Sequence, residues 1–438
     1  MLISFGVENF LSFKDYQEIT FRPSSDDGKI DSSLMVFGPN GSGKTNLVLA
    51  LTYCLKRMGM YDKGMFYHLS SQEEKRLNGD LHNRTNKDPV VMFRLRLQVS
   101  AYIFIYEFSI DTSNDLIVTE KITDDQDVVF FEREGTKLLL LGKTLKLNIE
   151  DLEHKLLINE IGQIPKILAV TMDLIRVSLC GIVITTYDIG LSGIYNILLN
   201  DPHENVTITG SDLYMCSPGD LDRLSGSLGF IGIENVKEVP SDVKISNKRR
   251  SHAFCVLPGE LVYSDGRRSY NVRFKERGFE RYRAFSELST GSQRVISLIV
   301  SLFEVVYTRN MMISKINPAL INEGITTSPL LVVDEMCYSL HPKIAKELLK
   351  VIKELYSGDE VLQTIYTIHN TEVMSFADIR PDSVYLLNKV DSASEVYSLS
   401  DFDDIDNWDS DSIKTGYLEG RFGGIPKTLN YWRLLNDS

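Results

Sequence analysis

Cysteine is scarce and scattered: Cys54, Cys180, Cys216, Cys255 and Cys337 are odd in number and never spaced C-x-x-C. A disulfide framework and a zinc ribbon are therefore not expected, and the chain reads as cytoplasmic. Positive charge is also short. Lys and Arg total 47 against 60 Asp and Glu, a formal charge of −13. That excludes a broadly cationic nucleic-acid coat, so any nucleic-acid surface has to be local. Met1 to Phe5 lacks the basic start, apolar run and small-residue cleavage site of a secretory signal. The most apolar long stretch, Ile167 to Thr186, carries Asp173 and Arg176 in mid-span. Charges there are costly in lipid, so a buried helical pair is expected and no membrane partner. No heptad run is long enough for a coiled-coil arm, and no internal repeat is present.

What is there is ordinary soluble usage, 43% hydrophobic and 24% charged, over 438 residues. That length exceeds what one core usually serves, so two or more lobes are expected. Met1 to Glu8 alternates as a strand, Ser33 to Phe37 is a short apolar run before glycine, and from Thr45 apolar residues recur at helical spacing. Ser70 to Lys87 reads as a polar loop, and Val90–Leu97, Tyr102–Ile110 and Val128–Arg133 as antiparallel strands. Asn148 to Leu228 is richer in helical patterns. Then come a helix near Ser292–Met311, the strand Leu330–Val333, a helix from Pro342 to Tyr356 and the strand Gln363–Thr367, a succession that implies a parallel sheet.

Gly38-Pro39-Asn40-Gly41-Ser42-Gly43-Lys44-Thr45 fits G-x-x-x-x-G-K-[ST] between a predicted strand and a predicted helix. The glycines let successive N–H groups face phosphates at a helix N-terminus. Lys44 neutralises the β and γ phosphates, and Thr45 offers its hydroxyl to Mg²⁺. The strand Leu330–Val333 ends in Asp334 and Glu335. The first is placed to hold Mg²⁺ through water and the second to orient and polarise an attacking water; the plainer reading is that both merely cap the strand. Ser289-Thr290-Gly291-Ser292-Gln293 precedes an apolar helix, where it either presents donors to a γ-phosphate or serves as an ordinary cap. His369 ends a predicted sheet strand, the edge where ligands bind in open α/β folds, and can donate a hydrogen bond to a γ-phosphate.

Taken in order, these segments, with Ser339-Leu340-His341-Pro342, resemble the Walker A, signature, Walker B, D-loop and switch-histidine motifs of ABC-type ATPases. The opening Val7-Glu8-Asn9-Phe10-Leu11-Ser12-Phe13 and the ending Tyr417 to Pro426 resemble the prokaryotic RloA-like ATPases, related to the OLD and RecF/SMC ATPases. That group includes the ATPase subunit of the PARIS phage-defence system. The signature departs from many relatives, being ABC-like where they have a Glu-Ser-x-Gly-Thr-like string. The fold the resemblance implies is α/β: an ABC-type P-loop ATPase head, with a mixed or parallel sheet core plus an antiparallel β subdomain, and an inserted helical lobe. The expected division is 1–147 for the N-terminal part of the head, 148–240 for the helical lobe, and 241–438 for the C-terminal part.

The resemblance also implies ATP with Mg²⁺, and a site shared between subunits of a homodimer or higher oligomer. Lys44, Thr45, Asp334 and Glu335 of one protomer would meet Ser289 to Gln293 of its neighbour. It further implies a nucleotide-gated sensor or scaffold of an anti-phage system that controls a separately encoded toxic effector, a nuclease. OLD-type relatives continue into a metal-dependent nuclease, whereas about seventy residues follow His369 here, too few for another sizeable domain. The other readings are a DNA-repair ATPase of the RecF/SMC kind and a structural assembly that holds ATP with little turnover.

Lys244 to Arg294 carries twelve basic and five acidic residues. Lys248, Arg249 and Arg250 make it a candidate surface for DNA or an acidic phage trigger protein; alternatively its arginines pair with Glu276, Glu280 and Glu287 or serve the signature. The acidic stretch Asp391 to Asp411 reads as a solvated surface loop.

Overall fold

Ser33–Phe37, Leu330–Val333 and Gln363–Ile368 are short buried runs of four to six residues, and all three lie in one sheet. The computed structural model describes residues 1–21, 32–60, 65–68, 71–83, 85–179, 182–185, 207–208, 213–242, 244–245, 252–257, 260–313, 328–355, 361–375, 380–403, 405 and 408–423. Its strands run β1 (Leu2–Glu8), β2 (Gln17–Thr20), β3 (Ser33–Phe37), β4 (Met65–His68), β5 (Val90–Val99), β6 (Tyr102–Asp111), β7 (Leu116–Asp124), β8 (Val129–Glu134), β9 (Lys137–Leu140) and β10 (Lys143–Leu145). They continue as β11 (Ile182–Thr185), β12 (Thr207–Ile208), β13 (Leu213–Met215), β14 (Ile233–Pro240), β15 (Lys244–Ile245), β16 (Ala253–Leu257), β17 (Glu260–Ser264) and β18 (Ser269–Glu276). The last are β19 (Leu330–Val333), β20 (Gln363–Ile368), β21 (Val384–Val390) and β22 (Ala393–Ser398). The α-helices are α1 (Lys44–Arg57), α2 (Ser71–Leu77), α3 (Lys166–Ser178), α4 (Asp220–Ser227), α5 (Thr290–Ile313), α6 (Pro342–Leu355) and α7 (Ser410–Leu418).

The central sheet has the order β22-β21-β3-β20-β19-β11-β4 and is parallel except for the β21–β22 hairpin. Strands β3, β11, β19 and β20 are buried almost throughout on both faces, and alternate residues enter different cores. Leu34, Val36, Ile182, Ile184, Leu330 and Val332 face one cluster, which contains α1, α3 and the eight-stranded antiparallel sheet β10-β9-β8-β7-β6-β5-β1-β2. Met35, Phe37, Val183, Leu331 and Val333 face the other, with α5, α6 and the five-stranded sheet β13-β16-β17-β18-β14. Each fully buried Phe or Leu in these layers stabilises the fold by roughly 1.5–3 kcal/mol before entropy is counted. The fold is thus α/β, with the expected mixed sheet core and antiparallel subdomain. Gln363, completely buried at the start of β20, accepts from the Leu2 N–H at 2.8 Å and donates to the Leu2 carbonyl at 2.7 Å, stitching β1 to the central sheet.

The sequence predicts a helical lobe over 148–240, but among the described residues that span is mixed. Ile167 to Thr186, expected as a helical pair, holds α3 and then β11, which lies inside the central sheet between β19 and β4. Ile182–Thr185 is buried on both faces, so it carries no alternation to separate a strand from a buried helix. Likewise β14 belongs to the five-stranded sheet. Ser70–Lys87, expected as a loop, contains α2, whose Glu73 and Glu74 in the first turn and Lys75 and Arg76 in the last complement the helix dipole. The described acids of the acidic stretch are exposed as expected, but part of the stretch is regular structure, since it holds β22 and the start of α7. The Asp401 carboxylate accepts from the Ser398 N–H and Asp409 caps α7 by accepting from the Ser412 N–H, while Asp404 and Asp406 lie outside the described residues. Among the described residues no helix is long and apolar enough to cross a membrane.

Candidate functional site

The parallel registers Ile368↔Phe37 and Val333↔Tyr366 set the carboxyl ends of β3, β20 and β19 side by side. The segments beyond these strands therefore meet at one sheet edge: Gly38 to Thr45 after β3, His369 after β20, and Asp334 and Glu335 after β19. Gly43 caps α1 at φ 114, a conformation that side chains other than hydrogen disfavour. Asn40 and Gly41 stand exposed, Pro39 is half-buried, and the Ser42 hydroxyl is buried without a hydrogen-bond partner among the described residues. Lys44 Nζ donates to the carbonyls of Gly38 at 2.6 Å and Pro39 at 2.9 Å. Burial lowers its pKa to about 8, against the opposing pull of Asp334 and Glu335.

Asp334 is buried between two hydroxyls. Thr45 Oγ1 donates to Oδ2 at 2.7 Å and Thr367 Oγ1 donates to Oδ1. Burial raises its pKa above the usual carboxylate value, while the two hydroxyls oppose the shift. Glu335 adopts φ 52, a left-handed backbone uncommon for a non-glycine residue, and its N–H donates to Thr367 Oγ1 at 2.8 Å. Its carboxylate lies 3.7 Å from His369 Nε2, and the imidazole beside it holds the carboxyl below the ordinary range. Thr367 therefore holds the Asp334 carboxylate and the Glu335 backbone at once. Sequence reasoning misses it as the last residue of a strand, although it opens the string Thr367-Ile368-His369-Asn370.

At the signature, Ser289 acts as the N-cap of α5. Its Oγ accepts from the Ser292 N–H at 3.1 Å, and its carbonyl accepts from the Gln293 N–H at 2.9 Å. Ser289 and Thr290 remain exposed, Ser292 is buried, and Gln293 donates its amide to the Leu288 carbonyl. A Cβ on Gly291 would stand 2.9 Å from the Ser339 carbonyl, so glycine is what lets the signature lie against the 339–342 turn. Arg294, in sequence one member of the general basic stretch, is buried and donates to the Asp334 carbonyl at 2.8 Å. The start of α5 is thereby tied to the strand end that bears the two acids.

In the rest of that basic stretch four arginines have carboxylate partners. Arg273 pairs with Glu260, Arg283 with Glu276, Arg281 with Glu287 and Arg277 with Glu234. Three of these four pairs join residues no more than 13 apart in sequence, and Arg277 reaches across to Glu234 on β14. The candidate contacts Lys248, Arg249 and Arg250 lie outside the described residues.

A glycine-rich loop opening a 14-residue helix, a buried lysine among its carbonyls, and a threonine hydroxyl facing an aspartate suit a magnesium-bound nucleoside triphosphate. Fold and site together define a P-loop ATPase. The comparisons agree: a family model described as "AAA domain" matches residues 5–172, and one described as "AAA domain, putative AbiEii toxin, Type IV TA system" matches residues 222–375. The first takes in the P-loop, and the second the signature, Asp334, Glu335 and His369. Among solved structures, the SMC head domain from Thermotoga maritima is similar over 91% of this chain and 98% of that chain, at 14% identity and a TM-score of 0.39. Comparison with curated proteins returns no match.

Proposed function

We propose that this chain is an ABC-type ATPase serving as the nucleotide-gated sensor and scaffold subunit of an anti-phage defence system in the cytoplasm. The observation that carries the catalytic part is the convergence of Thr45, Asp334, Thr367, Glu335 and His369 at one sheet edge. The P-loop amides and Lys44 bind the β and γ phosphates of ATP. Thr45 and Asp334 would hold Mg²⁺, which when bound neutralises the oxygens of the transferring phosphoryl group. Glu335, kept ionised by its neighbour, orients the attacking water and draws off its proton. His369 donates to the γ-phosphate. Ser289, Thr290, Gly291, Ser292 and Gln293 complete the site from a second copy, so ATP closes a homodimer or higher oligomer and hydrolysis releases it.

The defence role is supported by the likeness of the ends to RloA-like and OLD-related ATPases, among them the PARIS ATPase, and by the AbiEii-toxin description of the model matching 222–375. On this reading the chain restrains a separately encoded nuclease and releases it when a phage protein or DNA is sensed, with Lys248, Arg249 and Arg250 as the candidate contact. Glu335→Gln tests it. Phosphate release should fall by about 100-fold or more while nucleotide binding persists, and light scattering should show a dimer or larger species with Mg-ATP. A Glu335→Gln protein that stays monomeric at saturating Mg-ATP refutes the shared site. Tagged Glu335→Gln protein recovered from its native host without an effector chain refutes the scaffold role.

A further inference from the structure

The Ser42–Gly43 peptide, where the P-loop turns into α1, is held from outside by the C-terminal hairpin. Ser394 on β22 is 1% exposed; its Oγ lies 2.5 Å from the Ser42 carbonyl and 2.7 Å from Ser12 Oγ. The Ser394 hydroxyl has one proton and faces two acceptors, the Ser42 carbonyl, which is the nearer, and Ser12 Oγ. Ser12 then accepts from Asn46 Nδ2 at 2.6 Å, and Asn46 Oδ1 accepts from Arg76. Ser12 Oγ thus accepts from both Asn46 and Ser394, and the polar cluster joins Arg76, Asn46, Ser12, Ser394 and the Ser42 carbonyl.

Two further contacts set the frame. The Ser394 N–H donates to the Ser12 carbonyl at 2.7 Å, and a Cβ on Gly43 would fall 2.3 Å from Ser394 Oγ and 2.8 Å from Ser12 Oγ. The two hydroxyls occupy the space that glycine leaves free. The strand that carries Ser394 is itself anchored, since the Val396 N–H donates to Gln17 at 2.6 Å and the Tyr397 hydroxyl donates to the Phe422 carbonyl at 2.6 Å.

The C=O and N–H of a trans peptide point in opposite directions. Fixing the Ser42 carbonyl on β22 therefore turns the Gly43 N–H away from β22. We propose that Ser394 is a positioning residue for the bound nucleotide, acting through the Ser42–Gly43 peptide to aim the Gly43 N–H at the phosphates. The proposal rests on the ATPase reading above and extends it: Ser394 governs how tightly the diphosphate moiety is held, and Glu335 governs its hydrolysis.

The test compares wild type, Ser394→Ala, Ser394→Thr and Ser12→Ala, using fluorescent ATP and ADP analogues with Mg²⁺ for affinity and phosphate release for kcat and KM. Ser394→Ala should weaken ATP and ADP alike by about tenfold, the scale of one lost buried hydrogen bond, with the loss in KM rather than kcat. Ser394→Thr keeps the hydroxyl and should restore most of the affinity. Ser12→Ala leaves the Ser394 donation intact and should weaken binding less than Ser394→Ala. Equal affinity in Ser394→Ala and wild type, a loss confined to kcat, or a Ser394→Thr as weak as Ser394→Ala each overturn the proposal. Should Ser394→Ala fail to fold, Ser394→Thr near wild type with Ser12→Ala below it supports the proposal, and the reverse order refutes it. A wild-type protein that binds neither nucleotide instead refutes the ATPase reading itself.

Discussion

Replacing Arg133 by Met strands a buried carboxylate. Arg133 and Glu120 both have fully buried side chains, with Arg133 Nε 3.5 Å from Glu120 Oε2. Glu120 also accepts from the Tyr106 hydroxyl at 2.7 Å and the Leu157 N–H at 3.0 Å, and Arg133 Nη1 donates to the Leu152 carbonyl at 3.2 Å. The cluster thus pins residues 152–158 to the antiparallel sheet. Removing one member of such a pair costs about 3–5 kcal/mol, because the remaining charge is left uncompensated in low dielectric. Burial already raises the Glu120 pKa above its ordinary 4.5, opposed first by Arg133, so losing that cation raises it further. A carboxyl with a raised folded pKa binds protons more readily folded than unfolded. Its stabilising contribution is present below the unfolded value and is lost as pH rises toward the folded one. The penalty of Arg133→Met should therefore grow from pH 5 to pH 8, by up to about 1.4 kcal/mol for each further tenfold weakening of the Glu120 acid. Thermal and denaturant unfolding of both proteins across that range measures it. Adding Glu120→Gln, which removes the stranded charge and keeps a partner for Tyr106, should recover much of the loss. A destabilisation below about 1 kcal/mol, or one that does not vary with pH, would show that Arg133 does not neutralise a buried charge.

Two other substitutions probe the site and its frame. Gly291→Ala places a methyl group 2.9 Å from the Ser339 carbonyl, a backbone atom that cannot step aside cheaply. ATP hydrolysis should drop severalfold while nucleotide affinity holds, and unchanged turnover would show that the signature does not depend on this contact. Gln363→Leu leaves the Leu2 N–H and carbonyl without their buried partner and should destabilise the protein by about 2–4 kcal/mol. Hydrogen exchange should then be fastest to rise in β1, and uniform protection across the sheets would argue against the stitch.

The contiguous parts of the site are legible in the sequence alone. Eight consecutive residues make the phosphate loop, because adjacent amides must curl around one ligand, and Asp334 and Glu335 stand out because a short apolar strand ends on them. The amphipathic period likewise locates α1, α5 and α6 to within a few residues. The contacts that join these parts arise only in the folded chain. Ser394 meets Ser12 across 382 residues and Ser42 across 352, Gln363 meets Leu2 across 361, and Thr367 on the neighbouring strand meets the Asp334 carboxylate and the Glu335 backbone. No local pattern marks a serine or threonine as one of these, since hydroxyls are common at strand ends and caps. Nor does spacing reveal that β11 is a sheet strand, because a segment buried on both faces shows no alternation, whereas the pairing of arginines near β18 with Glu276 and Glu287 is among the readings the sequence supports. Short-range geometry is written in periodicity and turn chemistry. Which distant side chains share a proton or a charge depends on the order in which the strands assemble.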